Sequence, residues 1–453
     1  MRASGDFKHM RLAALCGILL CASFGCSPAA TPSSSEQSGN AAVNQGGSLN
    51  AAGAAAVGGA GAPNQGGGPE LGGGGAVSGS STSSGASGAA TTAGDASGGS
   101  ATGGSATGGD AGSAAVGWRL SDCALAFPYQ DEPERGTWLG GDSAYSTLLS
   151  PTLALWSFQD TFIGKHGQTT RPGASMIANS FALVSCSGGV EAIKYFWGND
   201  GAIFNEGVQD RRFWPQQPIL YKGFLFAAMT RVQGGATEIG TALARVSNPL
   251  EPPDQWHVEY FELATLSGLG KGTVVVDNYA YLFGNAGQAV VTRLPLDELI
   301  KPGAAPSALL EYLAADGQWK PGLDTAAAKK LGFSANVGTS FRYLKGPAKW
   351  LVLFTNTSGW PSATISISTA PSLEGPWTQP IDVYQVPEMT IGQPQYEKDN
   401  VCYAAIEHDE ANPDSATELL FSYTCNSFVF AKQLANMAIY LPEIVKIKNP
   451  LAN

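Results

Sequence analysis

Five strand-like runs resemble one another along the later part of the chain. They are "LALWSFQDT" from Leu153, "FLFAAMTRV" from Phe224, "YAYLFGN" from Tyr279, "KWLVLFTN" from Lys349 and "VCYAAIEH" from Val401. Their starts are 71, 55, 70 and 52 residues apart, and four of the five follow a turn former. A second element, a strand running into a turn with Pro and Leu, follows three of them: "ARVSNPLEPPDQW", "TRLPLDELIKPG" and "ISTAPSLEGPWTQP". Amphipathic helices are scarce, "TAAAKKLGF" and "FAKQLANMAIYL" being the best short candidates. β-Branched and aromatic runs bounded by turn residues write an all-β chain. Repeats of this size, each one small antiparallel sheet, predict a five-bladed β-propeller. A β-sandwich with coincidentally similar strands is the competing architecture.

The repeats occupy only part of the sequence. Residues 1–26 read as an export signal: Arg2, Lys8 and Arg11 precede the short apolar run "LAALCGILLCASF". Cys26 follows Gly25, with Ser23 three positions before it, as in a bacterial lipoprotein cleavage box. This predicts lipidation at Cys26 and an outer-membrane or cell-surface location, with plain secretion as the alternative. Residues 27–116, almost all Gly, Ala, Ser, Thr and Asn without an aromatic residue, cannot bury enough apolar surface to offset the entropy of ordering. They are expected to be a disordered tether, and residues 117–453 the propeller. A net charge of −11 argues against a nucleic-acid partner. No later segment is apolar enough to span a bilayer, so the expected membrane contact is through the lipid alone.

Four cysteines fall in the folded part. Cys402 and Cys425 lie on runs that read as adjacent strands, "NVCYAAIEH" and "LLFSYTCNS", and are expected to pair. Cys123 with Cys186 then follows by elimination among the three possible connectivities. The chain has no Cys-x-x-Cys pair, and neither a metal nor a cofactor is expected.

Asp142 and Asp160 flank a turn at Ser150-Pro151-Thr152. With Pro151 at the centre, antiparallel register pairs residues whose numbers sum to 302, so Asp142 faces Asp160 and Ser146 faces Trp156. Opposed Cβ atoms lie about 4.5–5.5 Å apart, where like charges destabilise the pair. The separation is near the ~5–5.5 Å of retaining glycosidases, against ~6.5–9.5 Å for inverting ones. Proximity also raises one pKa, leaving an acid beside an ionised partner.

Around these residues, "WLGGDSAYSTLLSPTLALWSFQDTFIG" resembles the opening of a bacterial propeller family long known only as a domain of unknown function, whose members include endo-D-arabinofuranosidases. Trp156, Phe158, Asp160 and Thr161 match its Trp-x-Phe-Gly-Asp-Thr strand, with Gln159 in place of Gly. "MIANSFAL", "FWPQQPILYKGFLFAA", "SFRYLKGPAKWLVLFT", "APSLEGPWTQPIDVYQVPE" and "CYAAIEHDE" resemble later segments, the last with Asp409 where Pro is usual. The resemblance implies a glycoside hydrolase acting on a furanose polysaccharide through Asp142 and Asp160. It further implies that Gln159, Asn179, Arg342, Glu407 and His408 bind substrate. Trp138 and Trp214 are candidate sugar platforms, because an aromatic face stacks on the apolar side of a ring. A non-catalytic carbohydrate-binding or adhesion propeller is the alternative. The Gly-Asp-Ser at Ser143 lacks the strand–helix context of a serine esterase.

Overall fold

The computed structural model describes residues 127–452 apart from 188–189, 199–200, 235–236, 336, 357–363, 410–411 and 413–414, and describes no side chains at 186–187 and 190–191. The expected signal, Cys26, the tether and Cys123 lie outside these residues, as does the side chain of Cys186, so the Cys123–Cys186 pairing does too.

Five antiparallel sheets form the blades. Blade 1 comprises Tyr145–Ser150, Leu153–Phe158, Ser180–Ser187 and Val190–Phe196. Blade 2 comprises Arg211–Tyr221, Phe224–Gln233, Thr237–Val246 and Val258–Ala264. Blade 3 runs from Gly272–Val276 through Tyr279–Asn285 and Ala289–Pro295 to Glu311–Leu313 and Trp319–Pro321. Blade 4 contains Thr339–Leu344, Lys349–Thr355, Thr364–Ala370 and Ile381–Gln385, and blade 5 contains Asn400–Glu407, Glu418–Ser427 and Pro442–Lys448.

The first strand of each blade is the inner one, and each touches the next around the ring. Blade 5 closes on blade 1 through an apolar cluster of Tyr145 with Val401, Tyr403, Ala404 and Ile406. The inner strands run parallel. Tyr145 Oη donates to Gln216, Gln217 Nε2 to the Ser146 carbonyl and Thr147 Oγ1 to the Pro218 carbonyl, a constant offset of 71 residues. Between blades 4 and 5 the offset is 67: Ala404 N–H donates to the Val337 carbonyl and Glu407 N–H to Ser340 Oγ. These offsets align the inner strands of blades 1 with 2 and of blades 4 with 5.

Blades packed face to face bury both sides of their middle strands. That is why "FLFAAMTRV" and "LVLF" are continuous apolar runs rather than alternating ones. Leu155 and Phe181 of blade 1 meet Phe213, Leu225 and Met229 of blade 2 in one cluster, and similar clusters fill the other seams. The repeat read from sequence is therefore the second strand of blades 1 to 4. In blade 5 it is one strand out of phase, because Asn400–Glu407 is the inner strand and the second is Glu418–Ser427. Of the helix candidates, residues 430–435 form a short helix, whereas residues 325–327 form a turn. Cys402 and Cys425 are directly paired across the two strands and disulfide-bonded. No helix among the described residues is long and apolar enough to cross a membrane.

A sixth sheet, Gln130–Glu132, Gly136–Gly141, Thr161–Gly164 and Ser175–Ile177, extends the hairpin of blade 1. The fully buried Arg171 ties it to the C-terminal segment. Its guanidinium donates to the carbonyls of Leu139, Gln433, Asn436 and Ile439, and lies between the Phe162 and Tyr440 rings. Gly140 has φ of +117°, and a Cβ there would lie 2.4 Å from the Tyr440 carbonyl oxygen, so only glycine permits this approach.

Candidate active site

The hairpin register expected from sequence is present on both sides of the aspartates. Tyr145 pairs with Ser157, Ser146 with Trp156 and Leu148 with Ala154, each summing to 302. Beyond the aspartates Gly141 pairs with Thr161, again summing to 302. Between these points the ladder is interrupted. Asp142 N–H donates to the Asp160 carbonyl while Gln159 N–H donates to the Asp142 carbonyl, and Ser143 takes φ of +54°. Three residues on each strand, 142–144 and 158–160, are spanned without regular pairing, an irregularity that re-aims the side chains there.

The neighbouring blades hold both carboxyl groups. Tyr403, on the inner strand of blade 5, donates its hydroxyl to Asp142 Oδ2 at 2.7 Å and receives a hydrogen bond from Asn426 Nδ2 at 3.3 Å. Trp214, on the inner strand of blade 2, donates its indole N–H to Asp160 Oδ1 at 2.8 Å. The pair therefore sits at one end of the channel, where blades 5, 1 and 2 meet. Asp142 and Asp160 are 8% and 7% exposed.

Their electrostatics differ. Burial and then the charge of Asp160 push Asp142 up to about 8, against opposing hydrogen bonds from the Tyr403 and Tyr440 hydroxyls. Burial also raises Asp160, but Arg212 and the Trp214 indole oppose it. Asp142 is thus favoured in its protonated form at neutral pH, while Arg212 and the Trp214 indole counter part of the rise at Asp160. That is the division of labour required of an acid and a base or nucleophile.

Tyr403 and Arg212 were not legible as site residues. Tyr403→Phe removes a hydrogen bond to a carboxyl group, an effect of about 1.5–3 kcal/mol when the group is charged. Because that bond favours the ionised form, Asp142 should titrate still higher in the variant. A pH titration and a kcat–pH profile check this: the limb set by Asp142 moves upward, with KM little changed.

Several residues expected at the site lie elsewhere. Trp138 is fully buried, stacked on Tyr195 at 4.2 Å with its N–H on Ser180, so it offers no face to a sugar. Asn179, also fully buried, spends its amide on the carbonyls of Phe204 and Phe213 and the N–H of Phe204. Its polar atoms hold a loop in place, not a ligand. His408 is fully buried between Ser146 and Ser422 against the Trp156 ring, and burial pushes it down to about 3, leaving it neutral. Gln159 lies beside Asp160 and binds the Pro215 carbonyl, joining blades 1 and 2. Trp214 is half-buried at the pair.

Arg342 and Glu407 form a buried ion pair at 2.8 Å, four residues farther along the inner strands. Burial pushes Glu407 up to about 8, with Arg342 opposing and Asp409 adding to the shift. Asp142 and Glu407 both hold protons in the folded chain at pH values where the unfolded chain has released them. Stability should therefore fall as pH rises from about 4.5 to about 8 and level off above it. Melting temperatures measured across that range test the sign, and Glu407→Gln should flatten the slope.

The profile of the domain of unknown function DUF5005 matches residues 133–449, a span that includes all five blades and the aspartate pair. The chain belongs to this family. No curated protein matches the DUF5005 sequence. Among solved structures, a candidate hydrolase from Bacteroides ovatus superposes with a TM-score of 0.52 and 17% identity, over 68% of this chain and 86% of that one. The likeness is one of fold. Two weaker matches are to a galactose-bound exo-β-1,3-galactanase from Phanerochaete chrysosporium and a xylotriose-bound GH43_1 enzyme from Xanthomonas citri. The galactanase has a TM-score of 0.43, 11% identity and coverage of 72% of this chain and 64% of that one. The Xanthomonas enzyme has a TM-score of 0.41, 12% identity and coverage of 72% and 89%.

Proposed function

We propose that this DUF5005 propeller is an exported glycoside hydrolase that cleaves a furanose-containing polysaccharide, with D-arabinan the first candidate. Asp142 serves as general acid and Asp160 as base or nucleophile. The observation that carries this reading is the facing pair itself. Two buried carboxyl groups lie beside each other against the inner strands of blades 5 and 2, one pushed up to about 8 partly by the other. A protonated carboxyl group beside an ionised partner is suited to donate to a leaving-group oxygen. Incubation with arabinans and other furanose polymers tests the reading. Release of reducing sugar from one of them supports it, and no product from any, with the domain folded, counts against it.

The near-complete burial of both carboxyl groups favours a second reading, a propeller that binds glycan without cleaving it. Retention on an immobilised polymer without product release is its signature. Export and lipidation at Cys26 are proposed under either reading; labelling with a radioactive fatty acid, lost on Cys26→Ala, tests the anchor.

A further inference from the structure

The channel holds a second concavity. The aspartate level contains Asp142 and Tyr403; four residues along the same strands lie Ser146 and Glu407. Tyr145 stands between them, fully buried, its hydroxyl fixed by Gln216 and the Lys271 carbonyl. Beyond it lies a cavity of about 270 Å³ whose polar lining comes from all five inner strands or their ends: Ser146, Gln217, Thr273, Ser340, Glu407 and Asp409.

Three features indicate what would occupy it. Glu407 is only 5% exposed, and its Oε2 has no hydrogen-bond partner among the described residues, although Arg342 lies against Oε1. A buried acceptor left this way calls for a donor. The rest of the wall is apolar, with Leu148, Ile219, Val274 and Phe341 presenting C–H surface. The volume lies just below the ~300–1,000 Å³ of pockets that hold drug-sized ligands, which suits a single ring and not a chain. The Arg342 guanidinium beside Glu407 disfavours a metal cation there, while the Asp409 carboxylate disfavours an anion. Hydroxyls to satisfy Glu407 and C–H faces to meet the apolar wall belong together on a sugar.

We propose that this cavity is a second ligand site, separate from the aspartate pair, which takes a neutral polyhydroxylated molecule the size of one monosaccharide. The site does not depend on the hydrolase reading. The aspartate site is assayed on polymers, whereas this one is read by binding of free D-arabinose, D-xylose and D-galactose to the full chain, using calorimetry and ligand-observed NMR. Saturable binding of at least one sugar, in the millimolar range expected of a single small ring, is the predicted result. It should persist in the Asp142→Asn/Asp160→Asn double variant and weaken at least about tenfold in Glu407→Leu, which removes the acceptor. Val275→Phe, which fills the cavity without touching a charge, should weaken it likewise and serves if Glu407→Leu does not fold. Three results would overturn the proposal: no saturable binding of any sugar, binding lost in the aspartate variant but kept in both cavity variants, or Glu407-dependent binding of calcium chloride without binding of sugar.

Discussion

Asp142→Asn and Asp160→Asn should each lower the release of sugar from the cleaved polymer by about 10²–10⁴-fold, the range for removing a positioned acid or base. The two losses should differ in kind. If Asp142 protonates the leaving oxygen, a substrate with a good leaving group such as a nitrophenolate needs little protonation, and Asp142→Asn should lose far less on it. Asp160→Asn should lose activity on both substrates, because attack on the sugar carbon is still required. The assignment follows from the surroundings. Asp142 has a like charge among the causes of its upward shift, whereas Asp160 has Arg212 and the Trp214 indole opposing its own. Equal losses on both substrates for both variants would reject this division, and activity surviving both changes would remove the pair from the mechanism.

Arg171→Met should destabilise the fold by several kcal/mol, because each buried carbonyl left without its donor costs about 1–3 kcal/mol. The guanidinium satisfies four carbonyls, none from a carboxylate partner, and joins residues more than 260 positions apart in sequence. Methionine fills similar space but leaves those carbonyls without their donor. The loss should appear as a lower denaturant midpoint with an unchanged slope if the whole propeller unfolds together. The sixth sheet carries Gly140 and Gly141 directly before Asp142. A variant that remains folded is therefore expected to lose activity as well, through the placement of Asp142.

The ring was legible because its middle strands are buried on both faces, which leaves continuous apolar runs that a reader can align. The hairpin register was legible because the turn at Pro151 marks its centre to within one residue: Ser150 pairs with Leu153, and after a one-residue shift the pairs from Leu148 to Tyr145 sum to 302, as does Gly141 with Thr161. What could not be read was which strand of blade 5 faces the channel. "VCYAAIE" is buried on both faces like a second strand, yet it is the inner one. That one-strand error hid Tyr403, which would otherwise have been aligned with the Asp142 level. Trp138 and Asn179 misled for the opposite reason. Aromatic and amide side chains next to a candidate site look like ligand contacts, and sequence gives no sign that Tyr195 or the Phe204 loop already occupies them. Glu407 and Arg342 lie on the inner strands of blades 5 and 4 but make a buried ion contact with each other away from the aspartates, a pairing that depends on how the two blades align in the assembled ring.

The most direct measurement is a titration of the Asp142 and Asp160 side-chain carboxyl carbons by NMR, in the full chain and in Asp160→Asn. A coupled, buried pair across the hairpin predicts that Asp142 changes protonation near 8, and that its midpoint drops when the charge at residue 160 is removed. Titration of both groups near the ordinary value of about 4, each unaffected by the other, would contradict it.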